Sequence, residues 1–133
     1  MIGIYQDDQL IQTYTSEEKA SEFLPKILDQ ILKKYEFSSL IYANGPGSYM
    51  GIKISYVSLK TLSIVKNIPL FAVNAFELND YQPISANKNF CFVWKNGEII
   101  LEKNTPVNFF LPKNLKELKL NNDNLPFYFL DVT

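Results

Sequence analysis

The 133-residue sequence predicts an α/β fold, and three patterns support that prediction. A short apolar run, Ser38–Ala43, is followed by a glycine-rich turn, a helix from about Gly51 to Lys66 and a second apolar run, Ile68–Val73. This order is typical of a right-handed βαβ unit with buried parallel strands. Apolar residues between Ala20 and Tyr35 recur at helical spacing with one buried stripe. Two pairs of short apolar runs, separated by turn residues, predict β-hairpins.

The first predicted hairpin joins Ile2–Tyr5 to Leu10–Tyr14 across two aspartates. The second joins Phe90–Trp94 to Glu98–Glu102 across an Asn-Gly pair, which is the strongest short hairpin signal. A further apolar run, Leu125–Val132, predicts a closing strand. Most of the predicted strands are therefore short and bounded by turn residues.

Helix ends are indicated by capping residues. Thr15 is the predicted cap of the first helix, because Glu18 stands at the spacing of a capping box. Pro25 lies inside the helical pattern and is expected to kink or break it. Asn74 and Glu77 have the spacing of a cap and its third helical residue, which favours a structural role for Glu77.

The composition narrows the possible chemistry. The chain has no histidine and no arginine, so all 13 positive charges are lysines, and the net charge is −1. Lack of histidine removes Ser-His and Cys-His nucleophiles and most zinc sites. A protein that binds nucleic acid without a partner subunit needs a basic surface, and the net charge of this chain does not provide one. The scattered acids are expected to be surface charges, and the single cysteine, Cys91, a core residue.

The glycine turn lies between the first strand of the βαβ unit and its helix, where α/β folds place phosphate sites. It does not match a P-loop, since Ile52 follows the last glycine, nor a dinucleotide loop, since Met50 stands where the third glycine belongs. A tight structural turn with Ser48 capping the helix is one interpretation, and close approach of a ligand or another backbone is the other. The candidate turn residues are Gly45, Pro46, Gly47, Ser48, Tyr49 and Gly51.

The helix that follows is apolar nearly all round, with small residues between its apolar positions. Such a helix is either buried on both sides or meets a partner. We favour a protein–protein interface, with a central core helix as the alternative. The predicted interface residues are Ile52, Lys53, Tyr56, Leu59, Lys60 and Ser63.

Several segments resemble the TsaB (YeaZ) family. The run 44–54, Asn-Gly-Pro-Gly-Ser-Tyr-Met-Gly-Ile-Lys-Ile, is similar to that family's Gly-Pro-Gly-Ser-(aromatic)-Thr-Gly-(apolar)-Arg-(apolar) motif. The downstream Leu-Lys-Thr-Leu and Asn-Ile-Pro-Leu-Phe-Ala-Val, the Ser-Glu-Phe-Leu-Pro of 21–25 and the Asn-Ala-Phe-Glu-Leu of 74–78 also resemble family segments. The resemblance covers roughly residues 1–80, and the C-terminal third matches poorly.

The resemblance implies an actin-like ATPase (ribonuclease H-like) fold, with a main lobe at 1–80 and a reduced second lobe at 81–133. It implies a non-catalytic, cytoplasmic partner of TsaD in making N6-threonylcarbamoyladenosine (t6A) at position 37 of tRNA. TsaE is implied as third component, a homodimer as a further assembly, and tRNA contact only through the complex. No catalytic residue, metal or cofactor is expected in this chain alone, with ATP or ADP placed at the partner complex. The alternative is a nucleotide-binding or peptidase-like enzyme of the same superfamily.

Three departures from the family pattern limit what can be transferred. The family opens with a strand carrying an Ile-Asp-Thr-Ser-like turn, whereas this sequence starts at the strand expected after it. Met50 and Lys53 replace the motif's threonine and arginine, and Ser85–Asn87 stands where the family has an Asp-Ala-Arg-like segment. We therefore expect no independent ATP binding.

Overall fold

The structure, a computed structural model, describes residues 1–126, apart from the side chain of Ala20. The elements, in chain order, are β1 (Ile2–Gln6), β2 (Gln9–Tyr14), α1 (Ala20–Lys34), β3 (Leu40–Ala43), α2 (Tyr49–Lys66), β4 (Leu70–Val73), β5 (Ile84–Ser85), β6 (Cys91–Lys95) and β7 (Glu98–Glu102). Short 3-10 turns occupy Ala75–Leu78 and Leu115–Glu117. The predicted mixture of helices and strands is confirmed. The predicted strand Leu125–Val132 lies mostly outside the described residues.

Strands β1 and β2 form the predicted antiparallel hairpin, with Ile2 paired to Tyr14 and Gln6 to Gln9. Asp7 and Asp8 both adopt positive φ, 51° and 67°, which matches the twist of a two-residue hairpin turn. The hairpin is held against the segment before the second 3-10 turn, since the Leu10 N–H donates to the Lys113 carbonyl at 2.9 Å.

Helix α1 begins at Ala20 rather than at Thr15, so the predicted capping box is wrong. The physical reason is local, because the Ser16 hydroxyl accepts the Glu18 N–H at 3.0 Å and forms a turn before the helix starts. Pro25 lies within α1, and the helix continues through it to Lys34. Leu24 and Ile31 form the buried stripe of this helix.

Strands β3 and β4 are parallel, in register from Leu40 opposite Leu70 to Ala43 opposite Val73, with α2 between them in the chain. The predicted βαβ unit is therefore confirmed. Asn67 ends α2 in the left-handed conformation, with φ of 54°. The core between this sheet and α2 contains Leu40, Tyr42, Leu70 and Ala72, against which Tyr56, Leu59 and Leu62 of the helix pack.

The second sheet is antiparallel, in the order β5-β6-β7. Its hairpin turns at Asn96 and Gly97, both with positive φ, as the Asn-Gly pair predicts. Its core cluster consists of Ala75, Phe76, Ile84 and Phe92, and Cys91 is buried as expected. The division into lobes at residue 80 stays a prediction.

Asn79 joins two segments of this half of the chain. It is the one buried polar residue among the described positions, at 1% exposure. Its Nδ2 donates to the carbonyls of Gln82, Pro83 and Val107, at 3.0, 3.3 and 3.4 Å. Its Oδ1 finds no partner among the described residues. The side chain thereby fixes the segment around Val107 to the 79–83 turn.

None of the described helices is long and apolar enough to span a membrane.

Candidate functional site: the glycine turn and helix α2

The glycine turn is tied to its surroundings by backbone and side-chain bonds. The Ser48 hydroxyl accepts the Gly51 N–H at 3.3 Å and caps α2, as the structural interpretation predicts. The Gly45 carbonyl accepts the Ala75 N–H at 3.0 Å, which fixes the turn to the start of the 3-10 turn after β4. Pro46, joined to Gly45 by a cis peptide bond, is fully buried.

The three glycine positions of this turn differ in whether the local structure requires glycine. Gly45 has a φ of 121°, a conformation that L side chains rarely adopt. A Cβ at Gly47 would meet the Ile52 Cδ1 at 3.8 Å, and one at Gly51 would meet Ser48 atoms at 3.5 Å, which are ordinary contacts. The backbone therefore demands glycine at position 45, while close packing does not demand it at 47 or 51.

Replacing Gly45 with alanine is expected to lower the free energy of unfolding by about 1–3 kcal/mol, because alanine is strained at this φ. Gly47→Ala is the matched control. It is expected to change stability by less than about 0.5 kcal/mol, because the added methyl meets only an ordinary contact. Urea unfolding followed by circular dichroism measures both. Equal effects of the two substitutions would contradict this account of the turn.

A cavity of about 260 Å³ opens beside the glycine turn, at the carboxyl ends of β3 and β4. It is lined by Asn44, Gly45, Ala72, Asn74, Ile99 and Asn121. The lining carries no charge, and its polar atoms are amides and backbone groups. Asn74 already accepts the Phe76 N–H at 2.9 Å, and the Asn44 Nδ2 donates to the Leu125 carbonyl at 3.2 Å. The cavity offers neutral hydrogen bonding rather than an anion site.

Helix α2 has one inward and one outward face. Ile52 is buried, and Tyr56 and Leu59 pack against the core of the β3–β4 sheet. Three residues of the predicted interface set therefore lie toward the chain's own core, Ile52 by its burial and the other two by packing on the sheet. Lys53 is exposed, while Lys60 and Ser63 are half-buried. That α2 meets a partner stays a prediction.

The outward face of α2 carries apolar residues that the sequence interpretation did not select. Met50, Val57 and Ile64 are 57%, 53% and 70% exposed, and they recur every seven residues. Residues at this spacing lie close to one line along a helix. A shallow groove of about 230 Å³ runs along this face, lined by Met50, Lys53, Ile54, Val57 and Ser58. The seven-residue spacing was the signal in the sequence that could have identified this face.

Two acidic residues, Glu77 and Asp29, make contacts within the chain. The Glu77 Oε1 accepts the Lys119 N–H at 2.9 Å, so this carboxylate joins the 75–78 turn to a later segment. Asp29 pairs with Lys33 on the surface of α1 at 3.2 Å. Among residues 1–126, no group of three or more His, Cys, Asp or Glu side chains is placed to hold a metal ion.

Comparisons with known proteins give one informative likeness. No family model matches the sequence, and no curated protein matches it. The solved structure of YeaZ from Pseudomonas aeruginosa superposes with a TM-score of 0.52 at 16% identity, over 77% of this chain and 58% of that one. An uncharacterized protein with similarity to the peptidase YeaZ from the same organism gives a TM-score of 0.47 at 17% identity, over 78% of this chain and 60% of that one.

The TM-score of 0.47 for the second structure is too low to indicate a shared fold. This chain spans less than two thirds of the length of either structure, and at such low identity a likeness concerns the fold alone. Over about three quarters of its length, this chain is similar in fold to YeaZ.

Proposed function

We propose that this chain is a non-catalytic subunit of the TsaB (YeaZ) type, which works with TsaD in making t6A at position 37 of tRNA. The fold likeness to YeaZ and the resemblance of residues 44–54 to the family motif both support this proposal. The observation that carries it is the outward apolar face of α2, Met50, Val57 and Ile64, because a subunit that acts by binding needs such a surface.

The contact would be made by this face rather than by the residues nearest the core. Exposed apolar side chains in a line form a seam into which a helix of another protein can pack. Lys53 lies beside the groove and adds a positive charge, which favours an acidic residue on the partner. Ser48, by capping α2, and Gly45, by its backbone conformation, hold the start of the helix in place. In this proposal the glycine turn positions an interface and does not bind phosphate.

The other parts of the proposal follow from the same resemblance. The fold is of the actin-like type with a reduced second lobe, and the protein works in the cytoplasm. TsaE joins the complex, ATP or ADP binds at the partner complex, and tRNA is contacted only there. The absence of histidine from the sequence supports a subunit without its own nucleophile or general base of the commonest kind.

The test is binding to TsaD of the same organism, followed by a t6A assay with and without this chain. The wild-type chain is expected to form a stable complex. Val57→Asp and Ile64→Asp are expected to raise the Kd at least 30-fold, as loss of a central apolar contact does. Val107→Asp is the matched control, because Val107 is also exposed, at 43%, but lies outside α2. It should leave the Kd unchanged.

Two outcomes would contradict the proposal in different ways. A wild-type chain that neither binds TsaD nor supports t6A formation would exclude the function. A complex that tolerates Val57→Asp and Ile64→Asp would keep the function and exclude this surface of α2.

A further inference from the structure

Two exposed aromatic side chains lie side by side next to the core of the second sheet. The rings of Tyr81 and Trp94 meet edge to face, with centroids 5.4 Å apart, and both also contact the ring of Phe76. Phe76 is fully buried, whereas Tyr81 and Trp94 are 46% and 37% exposed. Since one face of the Tyr81 ring stacks on Phe76, its opposite face is the one open to a ligand. We call Tyr81 and Trp94 the aromatic platform.

Tyr81 is held in a backbone conformation that a bulky residue rarely adopts. Asp80 and Tyr81 have φ of 56° and 58°, so two successive residues other than glycine lie in the left-handed region. The turn is fixed from both sides, because the Tyr81 N–H donates to the Phe76 carbonyl at 2.9 Å and the buried Asn79 side chain donates to the Gln82 carbonyl at 3.0 Å. Strained residues of this kind persist only where their surroundings over-determine them, and they cluster at binding and catalytic sites.

The charge beside the aromatic platform is negative. Asp80 directly precedes Tyr81, is exposed and takes part in no ion pair within residues 1–126. Lys95 follows Trp94, but successive strand residues point to opposite faces of a sheet, and Lys95 pairs with Glu102. An exposed acid next to exposed aromatic rings favours a cationic ligand, since the faces of the rings are themselves electronegative.

We propose that the aromatic platform and Asp80 bind an arginine side chain of a partner protein. A guanidinium is planar and weakly hydrated, so it can stack on the open face of Tyr81 while it donates hydrogen bonds to a carboxylate. A lysine ammonium can approach a ring as a cation, but it has no plane to stack. This chain contains no arginine, so a second copy of it cannot provide the side chain. The contact is separate from the outward face of α2 and does not depend on which protein binds there.

Titration with short peptides tests this proposal, because Trp94 is the only tryptophan of the chain and its indole N–H gives a single NMR signal. The probes are three tripeptides with blocked ends, Gly-Arg-Gly, Gly-Lys-Gly and Gly-citrulline-Gly, in which citrulline has the shape of arginine without its charge. The arginine peptide is expected to shift the Trp94 signal with a Kd of about 10 mM or lower. It should bind about 3-fold more tightly than the lysine peptide and about 10-fold more tightly than the citrulline peptide. No shift, or equal binding of the citrulline peptide, would overturn the proposal.

Two variants separate the contributions of the charge and the ring. Asparagine is tolerated at positive φ, so Asp80→Asn and Tyr81→Asn are both compatible with the turn. Each is expected to weaken binding of the arginine peptide about 3-fold or more. Asp7→Asn is the matched control, because Asp7 is also exposed, with φ of 51°, but lies in the β1–β2 turn. It should leave the Kd unchanged.

Asp80→Asn keeps both rings, so it decides the test if Tyr81→Asn does not fold. Equal Kd values for Asp80→Asn and Asp7→Asn would overturn the proposal, since the acid beside the aromatic platform would then play no part. Two further ligands check the choice of arginine. Tighter binding of a blocked tetraproline peptide or of uridine than of the arginine peptide would also overturn it, because the rings would then select a proline-rich segment or a nucleobase.

Discussion

Replacing Phe76 with alanine is expected to lower the free energy of unfolding by about 3–5 kcal/mol. Phe76 is 0% exposed and lies in the core cluster with Ile84 and Phe92. Its ring centroid is 6.0 Å from that of Tyr81, in a stacked arrangement, and 5.7 Å from that of Trp94, edge to face. The substitution would remove this ring from the centre of the second sheet's core and leave a cavity that the β-strands cannot easily close.

Chemical denaturation monitored by near-UV circular dichroism measures the effect, because the Tyr81 and Trp94 signals depend on the same packing. Phe109→Ala is the matched control. Phe109 is 42% exposed, so its truncation is expected to cost less than about 1 kcal/mol. A loss below about 1 kcal/mol for Phe76→Ala would show that this ring is not the centre of the cluster.

The second large expected effect on stability comes from substitutions on the two faces of α2. Leu59→Asp is expected to destabilise the protein by about 3 kcal/mol or more, because it places a carboxylate against the apolar core of the β3–β4 sheet. Ile64→Asp changes an apolar residue to the same acid five positions later, on a side chain that is 70% exposed. It is expected to change stability by less than about 0.5 kcal/mol.

Thermal unfolding distinguishes the two variants, with an expected drop of roughly 10 °C in Tm for Leu59→Asp and almost none for Ile64→Asp. This difference governs how binding experiments on α2 are interpreted. A loss of partner binding after Leu59→Asp would report unfolding, whereas a loss after Ile64→Asp would report the surface. Similar Tm values for both variants would contradict the assignment of the faces.

Most local elements could be predicted from the residues. The two hairpins were predicted from short apolar runs around Asp7-Asp8 and an Asn-Gly pair, and both turns adopt the positive φ that such residues tolerate. The end of α2 at Asn67 and the Ser48 and Asn74 caps were predicted in the same way. These features depend on neighbours in the chain, so local chemistry is sufficient to specify them.

The features that the sequence did not predict depend either on two neighbouring groups that compete for the same backbone N–H groups or on contacts between residues far apart in the chain. Thr15 had the spacing of a cap, but the Ser16 hydroxyl accepts the Glu18 N–H and forms a turn ahead of the helix instead. Helix α2 has apolar residues on both faces, so periodicity could not say which face the sheet covers. The cavity beside the glycine turn joins Asn44, Asn74 and Asn121, which no sequence spacing relates.

By itself, the sequence determined the α/β class, the βαβ order and the glycine turn that begins α2, because short-range propensity and capping specify each of them. Only the tertiary structure decided what that turn and helix present to the outside. The Gly45 carbonyl is bound to the chain's own 75–78 segment, Tyr56 and Leu59 pack against the core sheet, and Ile52 is buried. Among residues 1–126, the face with Met50, Val57 and Ile64 is left exposed, because the β3–β4 sheet contacts the opposite side of the helix.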